Sequence, residues 1–297
     1  GLCGQNAFAD RCGAAAATVR RNFRRRFVDS VTVLVYDHLN IDGTADLQMR
    51  PNQLFVFDLL KDEPRLTAAL FKRMTEELVY PHGVASLSQN DPDFHPFHHY
   101  APFYVQDAAY HNGIVWTWLA GPWIRQAVQL RYENLAYRVT DAMVDQILER
   151  GAAGTLSELL DAAPRPGEDL PRLSGTFSQA WSLAEFIRSF YQDYLGVLID
   201  VPGRTLYLRP RLPSTLRRAQ ANLHVGEITV RLALQASESD GRFELLVPAG
   251  CPAETVRVDW ILAQGQRHQF ALPLQQGTTV VTLDPGSVHA IIGQNPM

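Results

Sequence analysis

The feature that most constrains this chain is a change of hydrophobic period at Leu195 to Val201. Downstream, the chain reads LYLRPRLP, ANLHVGEITVRLAL, GRFELLVPAG, TVRVDWILAQ, RHQFALPL and TTVVTLDPG, short alternating runs bounded by Gly, Pro and Asp. Such runs specify half-buried strands. Upstream, apolar residues recur at helical spacing between loops. The expected fold is therefore mainly α with a C-terminal β domain, a helical part at 1–195 and a β-sandwich-like part at 196–297. Trp260 and Phe270 read as core of that second part.

The first residues, GLCGQNAFADRCGAAAATVRRNFRRRF, enter a helical pattern with Leu2, Phe8, Ala15, Val19 and Phe23 as inward candidates. No capping residue precedes it, so the chain is expected to begin inside a larger protein. VTVLVYDHL reads as a short strand. Pro51 suits the first helical position of a segment carrying Leu54, Phe55, Phe57 and Asp58 to Leu60. Further helices are predicted at 64–79, with Leu66, Leu70, Met74 and Leu78 on one stripe, and at 111–133, 135–151 and 176–194.

The segment 80–109 carries Pro81, Pro92, Pro96 and Pro102 and keeps no period. A loop this long suggests the lid or wall of a cleft. Its His82, His95, His98 and His99 invite a metal reading. With no His-x-x-x-His on a helix and no carboxylate pattern, they read as solvated or hydrogen-bonding side chains, and no metal or cofactor is expected.

A net charge of −4 and a pI near 6.1 give no whole-chain reason to bind nucleic acid or an anionic membrane. The local run RRNFRRRF at 20–27 reads as a solvated helix face. Cys3, Cys12 and Cys251 form neither a disulfide framework nor a zinc motif, and a reducing cytoplasm is the simplest setting. No stretch is long and apolar enough to span a bilayer, so a soluble protein is expected.

The stretch AYHNGIVWTWLAGP at 109–122 mixes His111, Asn112, Trp116 and Trp118, polar edges beside flat faces. Planar amides and carboxylates hold sugar hydroxyls, and indoles stack on sugar C–H faces. Glycosidic hydrolysis generally needs two carboxyl groups. Glu158, on a loop after Gly154, Thr155 and Ser157, is the leading candidate, its alternative being a solvated loop carboxylate. Asp107 reads as a second carboxylate or as a helix cap. Gln179 and Trp181, near a helix start, could hold and floor a sugar. Glu185 could orient a neighbour or simply form an ion pair. No phosphate-binding glycine loop or G-x-S-x-G motif occurs.

Taken together, RPNQLF at 50, SLSQNDPDF at 86, AYHNGIVWTWLAGP at 109, GTLSELLDA at 154 and SQAWSLAEFIR at 178 resemble the C-terminal half of the glycogen-debranching amylo-α-1,6-glucosidase family in content, order and spacing. The resemblance implies about half of an (α/α)6 toroid and inverting hydrolysis of α-1,6-linked glucose at glycogen branch stubs. It implies Glu158 as the general base. Arg50, Asn52, Gln53, Asp107, His111, Trp116, Gln179 and Trp181 would line the sugar site.

Departures from the family pattern are Gln106-Asp107 in place of Arg-Asp, Asn112-Gly113-Ile114-Val115-Trp116-Thr117-Trp118 in place of Gln-Gly-Thr-Val-Trp-Pro-Trp, and Leu160-Asp161-Ala162 in place of Phe-Asp-Gly after the base. No part of the chain matches the segment that holds the family's acid. The expected partners are an α-glucan or oligosaccharide, with an N-terminal partner half or self-association covering exposed apolar helix faces. The alternative is a non-catalytic carbohydrate-binding or scaffold protein with a degenerate glycosidase site.

Overall fold

A computed structural model describes residues 4–29, 31–32 and 34–294. Leu2 and Cys3 lie outside the described residues, among which there are five α-helices and sixteen strands in four sheets. The chain is thus mixed α and β, with more strand than a mainly α reading expects. Residues up to Leu130 with Leu135–Phe186 form one compact unit, and Arg131–Asn134 with the residues from Ile187 onward form another. None of the described helices is long and apolar enough to cross a membrane.

The first unit opens with α1 (Asn6–Phe27), which buries no residue. Phe8 and Val19 are 56% and 54% exposed and Ala15 is exposed too, so their inward assignment is corrected, while Phe23 is half-buried and stacks on Phe27. The arginine run closes this helix in solvent, with Arg24 paired to Glu63 at 2.6 Å. Strands β1 (Val28–Asp29) and β2 (Leu34–Val35) pair antiparallel.

At Pro51 the expected helix is instead two 3-10 turns, Pro51–Phe55 and Phe57–Leu59. Leu54, Phe57 and Leu60 are buried at a strict three-residue spacing while Phe55 is exposed, the period at which side chains eclipse in 3-10 turns. Helix α2 (Pro64–Leu78) does follow its stripe: Leu70, Met74 and Leu78 are buried at four-residue spacing. Phe71 on the same helix stacks on Trp123 of α3 (Ala120–Gln129), with ring centroids 6.0 Å apart. Helix α4 (Glu133–Glu149) buries Ala136, Val139, Thr140, Met143 and Gln146.

Between these helices runs an antiparallel meander of very short strands, β3 (Val79–Tyr80), β4 (Gly83–Ala85), β5 (Val115–Trp116), β6 (Leu159–Leu160) and β7 (Leu173–Ser174). The helix expected from His111 therefore begins only at Ala120. Val115 and Trp116 are held in the sheet from both sides, by Ala85 and Val84 and by Leu160 and Leu159. Val115, Leu160 and Ala162 form a small core under Tyr80, Phe94 and Leu173. Each fully buried aliphatic side chain there contributes about 1.5–3 kcal/mol. Helix α5 (Ala180–Arg188) runs into a π-type turn, Ser189–Tyr194.

The second unit has two sheets. Strands β10 (Arg218–Val225), β11 (Ile228–Ala236), β12 (Gly241–Val247), β15 (Gly277–Asp284) and β16 (Ser287–Gln294) lie in the order β10-β11-β12-β15-β16, every pair antiparallel. Strands β8 (Val197–Asp200), β9 (Thr205–Leu208), β13 (Thr255–Ile261) and β14 (Arg267–Pro273) give the order β14-β13-β9-β8, with β9 and β13 parallel. Leu223, Leu232, Phe243 and Val281 from the first sheet share one core with Leu206, Val258 and Trp260 from the second. Phe270 packs against it, half-buried.

Candidate active site

A cavity of about 220 Å³ in the first unit is lined by Arg50, Pro51, Asn52, Phe55, Ser86, His111, Trp116, Trp118, Leu119 and Trp181. Aromatic faces dominate it. Phe55 stacks on Trp118 at 6.0 Å, Trp118 lies 5.8 Å from Trp181, and Trp181 meets Trp116 edge-on at 6.0 Å. His111 stacks on Trp116 at 5.6 Å with the planes 9° apart. Trp181 remains 44% and Phe55 54% exposed, so these rings offer open faces instead of forming closed core.

Arg50 touches the cavity but spends its donors on the protein. Nε and Nη2 donate to Gln48 Oε1 at 3.0 and 2.8 Å, Nη2 also to Asn112 Oδ1 at 3.0 Å, and Nη1 to the carbonyls of Ser86 and His111. Those five bonds equal the five N–H groups of a guanidinium. The residue clamps three segments together behind the aromatic wall. Asn52 donates to Asp37 Oδ1 at 2.7 Å and is otherwise exposed at the rim.

Glu158 is buried, at 9% exposure, next to this wall but not among the cavity-lining residues. Its backbone is bracketed: its N–H donates to the Thr176 carbonyl at 2.8 Å, and its own carbonyl accepts from Thr117 N–H at 3.2 Å. The carboxylate takes three donors, Tyr110 hydroxyl on Oε1 at 2.8 Å, and Thr176 N–H and hydroxyl on Oε2 at 2.9 and 3.0 Å. Burial opposes its charge, but the Thr176 and Tyr110 donors outweigh burial and bring the pKa below its ordinary value. His98 assists only when protonated, and burial, then the adjacent His99, push the His98 pKa down while Asp107 pulls it up. At neutral pH the Glu158 charge rests on Thr176 and Tyr110.

Burial and the hydrogen bond to Glu158 push the Tyr110 phenol up to about 12. Tyr110 also links the two halves of the site, for its carbonyl accepts Trp116 Nε1–H at 2.9 Å and its ring meets Trp116 edge-on at 4.8 Å.

The remaining sequence candidates lie elsewhere. Gln53 is 1% exposed, and neither its Nε2 nor its Oε1 has a hydrogen-bond partner. Gln179 precedes α5 and anchors it by donating its N–H to the Leu156 carbonyl at 2.9 Å. Asp107 sits in the left-handed region at φ 62 and faces His98 and His99, whose Nε2 atoms are 3.2 and 3.0 Å from its Oδ1. The hydrogen bond from His99 holds the Asp107 pKa below the usual range. The sequence reading missed Tyr110, Phe55 and Thr176, and it saw no carboxylate for the loop histidines. Tyr110 was findable, sitting inside the AYH motif; Thr176 reaches Glu158 only through the sheet.

A second cavity, about 140 Å³ and in the β-rich unit, is lined by Arg131, Glu133 and Trp260 among others. Two of its charged residues, Arg131 and Glu133, pair with each other at 3.0 Å, and Trp260 is 2% exposed. It lacks the open aromatic faces of the first.

An ionised, triply held carboxylate beside an open-faced aromatic cavity is the arrangement of a glycosidase-type protein. The sequence family described as amylo-alpha-1,6-glucosidase matches residues 8–188, and the chain belongs to that family. A rhamnosidase of family GH78 from Bacillus sp. GL1 is similar in fold, with a TM-score of 0.57 and 16% identity over 88% of this chain and 24% of the rhamnosidase. A neutral trehalase from Saccharomyces cerevisiae aligns with a TM-score of 0.41 and 11% identity over 58% of this chain and 28% of the trehalase. The chain spans about a quarter of the length of these two structures. No curated protein sequence matches it.

Proposed function

We propose that this chain carries the general base and sugar-stacking wall of a debranching-type glycoside hydrolase, acting on α-1,6-linked glucose at glycogen or limit-dextrin branch points in the cytoplasm. The supporting observation is the ionised Glu158 carboxylate, held by Tyr110 and Thr176 one side chain behind the aromatic cavity. In an inverting mechanism Glu158 takes the proton of a water as that water attacks the anomeric carbon, while an acid protonates the departing oxygen. Asp107 is unsuited to be that acid, because His99 keeps it ionised. The acid is assigned to no residue of this chain, and the chain by itself is expected to hydrolyse little.

In this reading the first unit is part of an (α/α)6 toroid followed by a β-sandwich. An N-terminal partner half or self-association covers α1, whose exposed Phe8 and Val19 support that arrangement.

The test is glucose release from limit dextrin by this chain and by the longest reading frame of its gene, each as wild type and as Glu158→Gln. Release that Glu158→Gln abolishes supports the base role, and equal release by both forms overturns it. Sugar binding without turnover in every form favours the carbohydrate-binding or scaffold reading.

A further inference from the structure

The loop wall carries a second cluster that the glycosidase reading does not use. His98, His99 and Asp107 each offer one ligand atom, and these atoms all lie within 4.8 Å of one another. Both imidazole Nε2 atoms converge on one carboxylate oxygen, at 3.2 and 3.0 Å from Asp107 Oδ1. Ligand atoms about 2.0–2.1 Å from a tetrahedral zinc ion stand roughly 3.3 Å from each other, so both nitrogen–oxygen separations are already close to coordinating ones.

Two features distinguish this cluster from a surface ion pair. The His98 side chain is 5% exposed, and its Nε2, an ion-pair distance of 3.2 Å from Asp107 Oδ1, has no hydrogen-bond partner. A buried nitrogen in that condition requires an explanation. Its other nitrogen is fixed from behind, with Nδ1 2.6 Å from Ser174 Oγ. The His98 backbone N–H donates to Asp161 Oδ1 at 2.7 Å, and Arg165 holds Asp161 Oδ2 at 2.7 Å. Metal-bound histidines are oriented by such outer partners on the nitrogen that does not face the ion. The His98 and His99 rings stack with centroids 3.9 Å apart, which presents the two Nε2 atoms together.

We propose that His98, His99 and Asp107 bind one divalent cation of the zinc class, with a remaining position open on the exposed side of His99 and Asp107. Two imidazoles and one carboxylate suit zinc, whereas magnesium and calcium select oxygen donors. The ion would tie the proline-rich loop to the residues immediately before Tyr110, whose ring lies 5.6 Å from His98 and whose hydroxyl holds Glu158. The loop expected to be a lid would thereby be stapled to the wall of the site.

The test is titration of metal-stripped chain with Co2+, read by visible absorption, followed by displacement with Zn2+ in a calorimeter. One ion per chain with a tetrahedral cobalt spectrum is expected. His99→Ala and Asp107→Ala replace exposed side chains, so both variants should keep the wild-type circular dichroism. Each should weaken binding by at least about tenfold. His38→Ala, which removes a separate histidine beside Asp37 and Asp46, should leave binding unchanged. The proposal is overturned by the absence of stoichiometric binding, or by binding that survives both His99→Ala and Asp107→Ala or is lost in His38→Ala.

Discussion

Tyr110 donates its hydroxyl to Glu158 Oε1 at 2.8 Å while its carbonyl accepts the indole N–H of Trp116 at 2.9 Å. One residue thus joins Thr176 in holding the charge of the carboxylate and also orients the stacking wall. Replacing it by Phe removes a charge-assisted hydrogen bond from Glu158 and should raise the Glu158 pKa. The sign follows from the depressed pKa of the folded state. The stability Glu158 contributes is present above the ordinary carboxylate range and is lost as pH falls through its folded pKa. In Tyr110→Phe that loss should set in at higher pH. A carbon-13 titration of the Glu158 carboxyl in both forms measures it, and coincident curves would refute the assignment.

Glu158→Gln preserves shape but turns one acceptor into a donor, which must face either Tyr110 or the Thr176 pair. The expected cost is about 1–3 kcal/mol of stability, seen in urea denaturation. Where the longest reading frame hydrolyses limit dextrin, the rate should fall by about 10²–10⁴-fold with little change in sugar affinity.

Trp181 contributes an open face to the cavity and is 44% exposed, so its loss should leave the fold intact. Trp181→Ala should weaken isomaltose binding by about 1 kcal/mol, roughly fivefold in Kd, with an unchanged melting temperature. Unaltered affinity by calorimetry would remove Trp181 from the site.

Arg50 should behave as a structural clamp. Lysine has three donors on a flexible stem and cannot reproduce five bonds from a planar fork. Arg50→Lys should therefore destabilise the chain by about 2–3 kcal/mol, because carbonyls of Ser86 and His111 lose their donor. A destabilisation under about 0.5 kcal/mol, the ordinary range for a surface substitution, would show that the clamp is dispensable.

Gly113 cannot become alanine without a rearrangement. It has φ 143, and a Cβ there would lie 2.4 Å from the His95 carbonyl oxygen. That contact accompanies the bond from His95 N–H to the Asn112 carbonyl at 2.6 Å, which seats the loop on the aromatic motif. Gly113→Ala should cost about 3 kcal/mol or more and disturb the cavity, as tryptophan fluorescence would report.

The C-terminal strands were readable because alternation leaves a mark in each strand by itself, as in β15, where every second residue from Gly277 is buried. Helix α2 was readable for the same reason at its own period. The residues around Trp116 were not, because a two-residue strand has no period, and its partners Val84 and Leu159 lie far away in sequence. Helix α1 shows the converse error, since helical spacing predicts a packed face whether or not anything packs there. His98 and Asp107 fall together through the path of a proline-rich loop, which spacing does not encode. Glu158 was legible as a candidate carboxylate through the family motif, but the donors that keep it charged were not.

The meander from β3 to β7 separates what must stay fixed from what is free to change. Trp116 and Leu159 are paired across one strand spacing, about 4.8 Å. Glu158 therefore stands beside the aromatic wall whatever length of chain joins them. The connections after β4, β5 and β6 are long, unlike the two-residue turn between β3 and β4, and they carry the histidine cluster, helices α3 and α4 and the loop before Arg172. Descendants of such a sheet could exchange lids, metal clips or substrate walls by insertion while the base and its indole neighbour kept their separation. A slip of one residue in the pairing would turn both away together.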